Sequence, residues 1–196
     1  MKKIALLLFI ATLSLNLSAQ KLYDETANGE KQLTEALEKA KKEGKHVLIQ
    51  MGGNWCKWCL RFNEFVNNDS QIKKVAEENY VVLHLNYNKK DTAMLERLEH
   101  PDRFGFPVII ILDENGKRLH TQNSYYLEEG ESYHKKKVLS CLKNWTTKAI
   151  KEIKKKKKKK SLRKRKIKQR KKNFFLCFIL FFLRNIFLNL CLRFLE

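Results

Sequence analysis

The spacing of apolar residues along the middle of the chain first follows a helical and then a strand-like pattern. Within residues 30–45, Leu33, Leu37 and Ala40 recur every three or four residues, which predicts a helix with one apolar face. Gly44 follows the last of these residues and marks the predicted end of the helix.

The remaining apolar segments predict four strands and three further helical regions. Short runs rich in β-branched residues predict buried strands at 46–52 and 80–88, and 106–124 predicts two more strands around a tight turn at Glu114–Lys117. Helical patterns cover 59–66 with 71–79, then 92–98, and finally Ser132 to Ile150. The order α, β, α, β, α, β, β, α predicts an α/β fold, with a parallel core built by crossovers and a final antiparallel hairpin.

The first nineteen residues have the pattern of an export signal. Lys2 and Lys3 precede an apolar stretch that is too short and too interrupted for a membrane-spanning helix, and the small Ala19 stands before a cleavage point at Gln20. An uncleaved anchor is the alternative. We therefore expect an exported protein, periplasmic or secreted, in a compartment where disulfides persist.

The net charge of +20 belongs almost entirely to the C-terminal tail. Residues 151–196 contain 18 Lys or Arg and 2 Asp or Glu, whereas residues 20–150 contain 21 and 19. A strongly basic chain normally suggests a nucleic-acid or anionic-membrane partner. Residues 20–150 are nearly neutral, so the charge does not indicate such a partner for the domain. The basic run in the tail lacks the interleaved aromatic residues of a protein that binds single-stranded nucleic acid. We expect no nucleic-acid partner.

Three interpretations of the tail from Lys151 remain open. A lysine run at Lys154–Lys160 and a later apolar stretch are typical of a membrane-inserting segment, although the apolar run Phe174–Leu183 is shorter than the roughly 20 residues of a span. An interfacial helix held at an anionic surface is the second interpretation. The third, which we favour, is a frameshift or read-through product of AT-rich sequence. The expected organisation is a signal peptide at 1–19, a domain at 20–150 and this tail.

The chain contains five cysteines, an odd number that argues against a purely structural disulfide framework. Cys177 and Cys191 lie in the tail, and Cys141 occupies a helical apolar pattern, as a small buried residue would. Cys56 and Cys59 are separated by two residues, between the predicted strand 46–52 and a predicted helix. This pair is the candidate for chemistry.

A cysteine pair at the start of a helix has the two features that disulfide exchange requires. Cys56 would lie among unpaired backbone N–H groups at the positive end of the helix dipole, which favours its thiolate. Cys59 would lie one turn further on, close enough to resolve a mixed disulfide. Lys57, between the two cysteines, also favours the Cys56 thiolate if its ammonium points toward the sulfurs.

Other uses of the pair are a metal site, haem attachment and a structural clasp. A structural zinc site needs a second tightly spaced ligand pair, which the scattered histidines do not supply. Haem attachment needs a histidine directly after the motif, where Leu60 stands. We expect no metal and no organic cofactor. A permanently oxidised disulfide in a non-catalytic binding module stays open as the alternative function.

Three features in a fixed order resemble the thioredoxin superfamily. They are the strand, Trp-Cys-x-x-Cys and helix; Pro107, which opens the next-to-last strand; and an Asp-x-x-Gly-type turn after that strand. The resemblance extends from Lys31 to about Ile150 and is strongest to secreted bacterial thioredoxin-like proteins, some of which resemble soluble domains of thiol:disulfide interchange proteins. It implies a thioredoxin-like α/β fold, with a central mixed sheet that ends in an antiparallel hairpin and is flanked by helices.

The resemblance also implies roles for individual residues. Cys56 corresponds to the attacking cysteine and Cys59 to the resolving one. Pro107 matches the family's cis-proline, which lies against the disulfide, and Phe106 would offer backbone groups to an extended substrate peptide. Trp55 would flank the rim of the site. A turn or edge position is the alternative for Pro107, and ordinary core packing is the alternative for Trp55.

The motif departs from the family pattern at three positions. Lys57 and Trp58 stand between the cysteines, where many thioredoxins have Gly-Pro, and we include both among the substrate-binding residues. Gln50 replaces the buried acid that thioredoxins carry six residues before the first cysteine. A base for Cys59 must then come from elsewhere, with Glu64 as the candidate and a solvated helix-face charge as its simpler interpretation.

The expected activity is dithiol–disulfide exchange outside the cytoplasm. The expected partners are protein thiols or disulfides and a redox partner protein, with membrane contact through the tail as a further option. The sequence leaves the direction open between reduction, oxidation and isomerisation.

Overall fold

The computed structural model describes the backbone of residues 21–193 and the side chains of residues 21–173. The export signal predicted at 1–19 lies outside the described residues, as do the side chains of Cys177 and Cys191. The chain divides into two units, one ending at Thr147 and one starting at Lys148.

The first unit contains five helices and six strands among the described residues, together with two 3-10 turns. The helices are α1 (Gly29–Glu43), α2 (Lys57–Asn68), α3 (Ser70–Asn79), α4 (Thr92–Arg97) and α5 (Lys135–Asn144). The strands are β1 (His46–Gly52), β2 (Tyr80–Asn86), β3 (Val108–Leu112), β4 (Arg118–Asn123), β5 (Glu128–Glu129) and β6 (Ser132–Tyr133). The 3-10 turns cover Pro101–Phe104 and Ser124–Leu127.

Four strands form one sheet in the order β2-β1-β3-β4, and β5 pairs with β6. β1 runs parallel to β2 and antiparallel to β3, and β3 and β4 form an antiparallel hairpin. In the hairpin turn, the Asp113 N–H donates to the Lys117 carbonyl at 2.9 Å and the Lys117 N–H donates to Asp113 Oδ1 at 2.9 Å, with Gly116 at φ 79°. The mixed sheet with a late antiparallel hairpin confirms the predicted fold class.

The prediction of a parallel core was wrong for β3. Val108 opens β3 opposite Met51, at the end of the sheet where β2 has just finished at Asn86. The connection through α4 therefore returns the chain at the same end of the sheet, and β3 runs antiparallel to β1. A parallel strand would have required a crossover back to the opposite end.

Apolar residues pack against both faces of the sheet. Along β1, Val47, Ile49 and Met51 join the side chains of α1 and α4, whereas Leu48 joins those of α2, α3 and α5. This alternation is the two-residue period of a strand covered on both faces, and it buries all seven residues of β1. The motif that follows β1 is therefore held at the end of a fully buried strand.

The single helix predicted from Ser132 to Ile150 was also wrong. Gly130, at φ 58°, turns the chain between β5 and β6, and α5 begins only after His134. The His134 side chain caps α5 by accepting a hydrogen bond from the Lys136 N–H at 3.1 Å. α5 ends at Asn144, and a separate helix starts at Thr147.

The last helix, α6 (Thr147–Arg193), covers most of the tail. The residues 151–173, whose side chains are described, are all exposed. Within the described residues, no helix is both long and apolar enough to cross a membrane. The interpretations of the tail remain predictions.

Candidate active site

The cysteine motif lies where β1 ends and α2 begins. The Cys56 N–H donates to the Gly53 carbonyl at 3.0 Å, which closes a turn after the strand. Cys56 then occupies the N-cap of α2, with the extended backbone of a capping residue, and the helix starts at Lys57. The predicted strand–motif–helix arrangement is confirmed.

Cys56 and Cys59 are joined by a disulfide, with 2.06 Å between the sulfur atoms. The Cys59 N–H donates to the Cys56 Sγ at 3.1 Å, so this sulfur takes the place of a capping oxygen. Cys56 is 7% exposed and Cys59 is fully buried. The two sulfurs therefore differ in accessibility and in contact with a backbone donor. Both differences favour Cys56 as the sulfur that reacts.

Three aromatic rings form a rim beside the motif, which we call the aromatic rim. Trp55 is 62% exposed and meets Phe106 edge-on at 5.5 Å between ring centroids. Phe106 also packs against Tyr87 at 4.6 Å and against the cluster that contains both cysteines. Trp55 therefore lies at the surface and not in the core, next to the disulfide.

The peptide bond between Phe106 and Pro107 is cis, as the resemblance implied for this proline. Pro107 is buried and directly precedes β3, which is paired on both sides. It stands outside the hydrogen-bonded ladder, where the missing N–H costs nothing.

The two residues between the cysteines have different surroundings. Lys57 is exposed, whereas Trp58 is half-buried and packs edge-on against Tyr133 at 5.6 Å. The Tyr133 hydroxyl donates to the Trp58 carbonyl at 3.0 Å, and the Arg61 guanidinium lies over the Trp58 ring at 5.1 Å. Trp58 thus anchors the start of α2 to β6.

A polar pair lies behind the buried cysteine. Gln50, 2% exposed on β1, donates from Nε2 to the Cys59 carbonyl at 2.9 Å and to the Tyr23 hydroxyl at 2.7 Å. Gln50 therefore occupies the position expected for a buried acid and acts there as a donor. Glu64, the candidate base, is exposed on α2, which supports its interpretation as a solvated charge.

Tyr23 was not identified from the sequence. It lies before α1, in a segment without periodicity, and is held by Asn54: the Tyr23 N–H donates to Asn54 Oδ1 at 3.0 Å, and Asn54 Nδ2 donates to the Tyr23 carbonyl at 2.8 Å. Burial raises the pKa of Tyr23 above its ordinary value. His84, on β2, packs edge-on against the Tyr23 ring at 5.8 Å, and burial lowers its pKa.

A small cavity and one further thiol complete the described surroundings. The cavity, of about 220 Å³, is lined by six apolar side chains and by six polar or charged ones: Gln50, Asn63, Asn67, Lys73, Glu77 and His84. Cys141 lies away from the disulfide, donates weakly to Gln122 Oε1 at 3.8 Å, and has its pKa raised by burial to about 11. Among the described residues, no group of three or more His, Cys, Asp or Glu side chains is placed to hold a metal ion.

The fold and the motif define a thioredoxin-like domain with a CxxC pair. The family model described as thioredoxin-like matches residues 28–114, which confirms the resemblance found in the sequence. The fold is similar to the crystal structure of a disulphide isomerase from Xylella fastidiosa Temecula1, with a TM-score of 0.56, 19% identity, and coverage of 65% of this chain and 98% of that one.

Curated relatives are similar over the same region. The thiol:disulfide interchange protein DsbD of Escherichia coli K12 is 30% identical over 86 residues, which is 44% of this chain and 15% of that protein. The protein of the same name from E. coli O6:H1 matches to the same extent. The aligned part is thus a small fraction of each relative.

Proposed function

We propose that this protein is an exported thiol–disulfide oxidoreductase that acts on other proteins, with Cys56 as the attacking and Cys59 as the resolving cysteine. The domain would span residues 20–150, after a signal peptide at 1–19 and before the tail at 151–196. The curated relatives, named as thiol:disulfide interchange proteins, support the chemistry.

The hydrogen bond from the Cys59 N–H to the Cys56 Sγ carries this proposal. When the disulfide opens, the same N–H lies at the first turn of α2 and stabilises a thiolate on Cys56, together with the helix dipole. A thiolate is the reactive form of cysteine, so the more exposed sulfur is also the one prepared to react. Lys57, which is exposed on the same turn, adds a positive charge to the start of α2.

Each exchange moves two electrons and conserves all atoms. In the reducing direction, the Cys56 thiolate attacks one sulfur of a substrate disulfide and releases the other sulfur as a thiolate. The Cys59 thiolate then attacks the Cys56 sulfur, forms the Cys56–Cys59 bond and releases the second substrate thiolate. The oxidising direction reverses these steps, and a partner protein restores the starting state. No organic cofactor takes part.

The aromatic rim supports a protein substrate. An exposed tryptophan beside a reactive sulfur offers a large apolar surface at little cost in conformational entropy. We propose that Trp55 and Trp58 contact the substrate through their rings, Lys57 through its charge, and the Phe106–Pro107 segment through its backbone. Contact of the tail with a membrane is a separate proposal on location.

A non-catalytic module with a structural disulfide is the second candidate. The low exposure of both sulfurs favours it, since a structural bond needs no access. Its reduction potential would lie in the range of structural disulfides, below about −300 mV.

Replacing Cys59 by alanine tests the proposed function directly. Without its resolving partner, Cys56 of Cys59→Ala should remain bound to substrates, so we expect mixed disulfides with exported proteins on non-reducing gels. Resolution within the protein is expected to slow at least about a hundredfold, because an external thiol must replace a neighbouring one.

Cys141→Ala is the matched control for the trapping experiment. It removes a half-buried thiol that lies away from the disulfide, and we expect it to trap no more protein than the unaltered chain. Equal trapping by the two variants, or none by Cys59→Ala, would contradict the proposed function.

A further inference from the structure

The Tyr23 hydroxyl lies close to the buried Cys59, and no described group accepts a hydrogen bond from it. Gln50 Nε2 has two hydrogens and uses both, one toward the Cys59 carbonyl and one toward the Tyr23 oxygen. The Tyr23 oxygen is thus an acceptor in this pair. Its own O–H remains available as a donor.

Gly52 keeps the space between Tyr23 and Cys59 open. A Cβ atom at Gly52 would lie 2.4 Å from the Cys59 Sγ and 3.1 Å from the Tyr23 hydroxyl oxygen. The sulfur and the hydroxyl therefore border the same small gap, which only glycine leaves empty. The backbone of Gly52 is fixed by the Tyr87 N–H, which donates to its carbonyl at 2.6 Å.

We propose that the Tyr23 hydroxyl donates a hydrogen bond to the Cys59 sulfur when the Cys56–Cys59 bond opens, and that Gln50 orients it for this role. The inference deepens the proposed function and rests on it for its biological meaning. An incoming thiolate attacks the Cys56 sulfur, a new disulfide forms there, and Cys59 leaves with the electron pair of the broken bond as a thiolate. Tyr23 stabilises that thiolate without giving up its proton.

The surroundings of Tyr23 keep it a donor. Burial raises the pKa of its phenol, which therefore stays protonated at neutral pH. Burial lowers the pKa of His84, so the ring against Tyr23 is neutral there as well. Among the described residues, the other titratable groups around the pair are Asp24 and Glu25, next to Tyr23 in the chain; Cys56, bonded to Cys59, with Lys57 after it; and Tyr133 on β6.

The Gln50–Tyr23 pair acts on Cys59 in a different way from the buried acid of thioredoxins. A carboxylate at position 50 would accept a proton from Cys59, whereas Gln50 and Tyr23 accept none at neutral pH. Instead, a neutral donor makes Cys59 a better leaving group, because the thiol that forms the more stable anion leaves faster. Opening of the disulfide by an external thiol is the step that this arrangement favours.

The test is a titration of Cys59 in the full-length protein that carries Cys56→Ser, so that no second thiol of the pair couples to it. The signal is the ¹³Cβ chemical shift of labelled Cys59 as a function of pH. Adding Tyr23→Phe should lower the acid ionisation constant of the Cys59 thiol about tenfold, since a hydrogen bond to an anion is lost. Gln50→Leu, which keeps the hydroxyl but not its orienting amide, should give a smaller change of the same sign.

Tyr80→Phe is the matched control, because Tyr80 is also buried on the sheet and its hydroxyl donates to the Leu142 carbonyl, away from the disulfide. We expect it to leave the Cys59 titration unchanged. An unchanged titration in Tyr23→Phe, or equal changes in Tyr23→Phe and Tyr80→Phe, would overturn the inference. The titration needs no substrate, so failure of the proposed function would appear separately, as absent trapping by Cys59→Ala.

Discussion

Replacing Cys56 by serine is expected to abolish disulfide exchange, with a loss of at least about a thousandfold in the catalysed rate of insulin reduction by dithiothreitol. The alcohol is a far poorer nucleophile than a thiolate and forms no disulfide with a substrate or with Cys59. Since Cys59 is fully buried, it does not take over the attack. The residual rate should equal that of dithiothreitol alone.

Cys141→Ser makes the same chemical change at a cysteine away from the site, and we expect it to keep the full rate. Its thiol is half-buried, and burial raises its pKa to about 11, so little thiolate exists at neutral pH. Loss of activity in both variants would point to damage to the fold. Activity retained in Cys56→Ser would show that the reacting sulfur lies elsewhere.

The second large effect is expected from Ile110→Ala, which should lower the free energy of unfolding by about 2–5 kcal/mol. Ile110 lies at the centre of β3, is fully buried, and stands opposite Ile49 on β1. Removing three carbon atoms there leaves a cavity between the sheet and its covering helices. Urea unfolding of the oxidised protein measures the change, and an unaltered slope would show that the denatured state is the same.

Val82→Ala is the matched control for this measurement. Val82 is 42% exposed on β2, at the edge of the same sheet, so truncation removes less buried surface. We expect a loss below about 1 kcal/mol, in the range of surface substitutions. Equal losses for Ile110→Ala and Val82→Ala would contradict the two-sided packing described for the sheet.

Local patterns were sufficient for the elements that carry the motif. The apolar run at 46–52 predicts β1 because the strand is buried on both faces and so contains no polar alternation. Gly44 predicts the end of α1 because it adopts the left-handed conformation there, at φ 66°. The cysteine pair lies between β1 and α2 in the chain, so its position at the N-terminus of α2 follows from these predicted elements.

Features that depend on distant contacts were not predictable in this way. The direction of β3 is set by the end of the sheet at which the chain returns, which no local pattern encodes. β5 and β6 have two residues each, too few to show a period. Tyr23 packs in one cluster with Cys59 and bonds to Gln50, which is 27 positions away in the chain, and its own segment has no regular structure.

The reduction potential of the Cys56–Cys59 disulfide in the full-length protein distinguishes an exchange protein from a module with a structural disulfide. Equilibration with glutathione or dithiothreitol redox buffers, followed by quantification of the oxidised form, gives this potential. We expect a value between roughly −270 and −120 mV, where working exchange proteins lie. A value below about −300 mV, the range of structural disulfides, would contradict the proposed exchange activity.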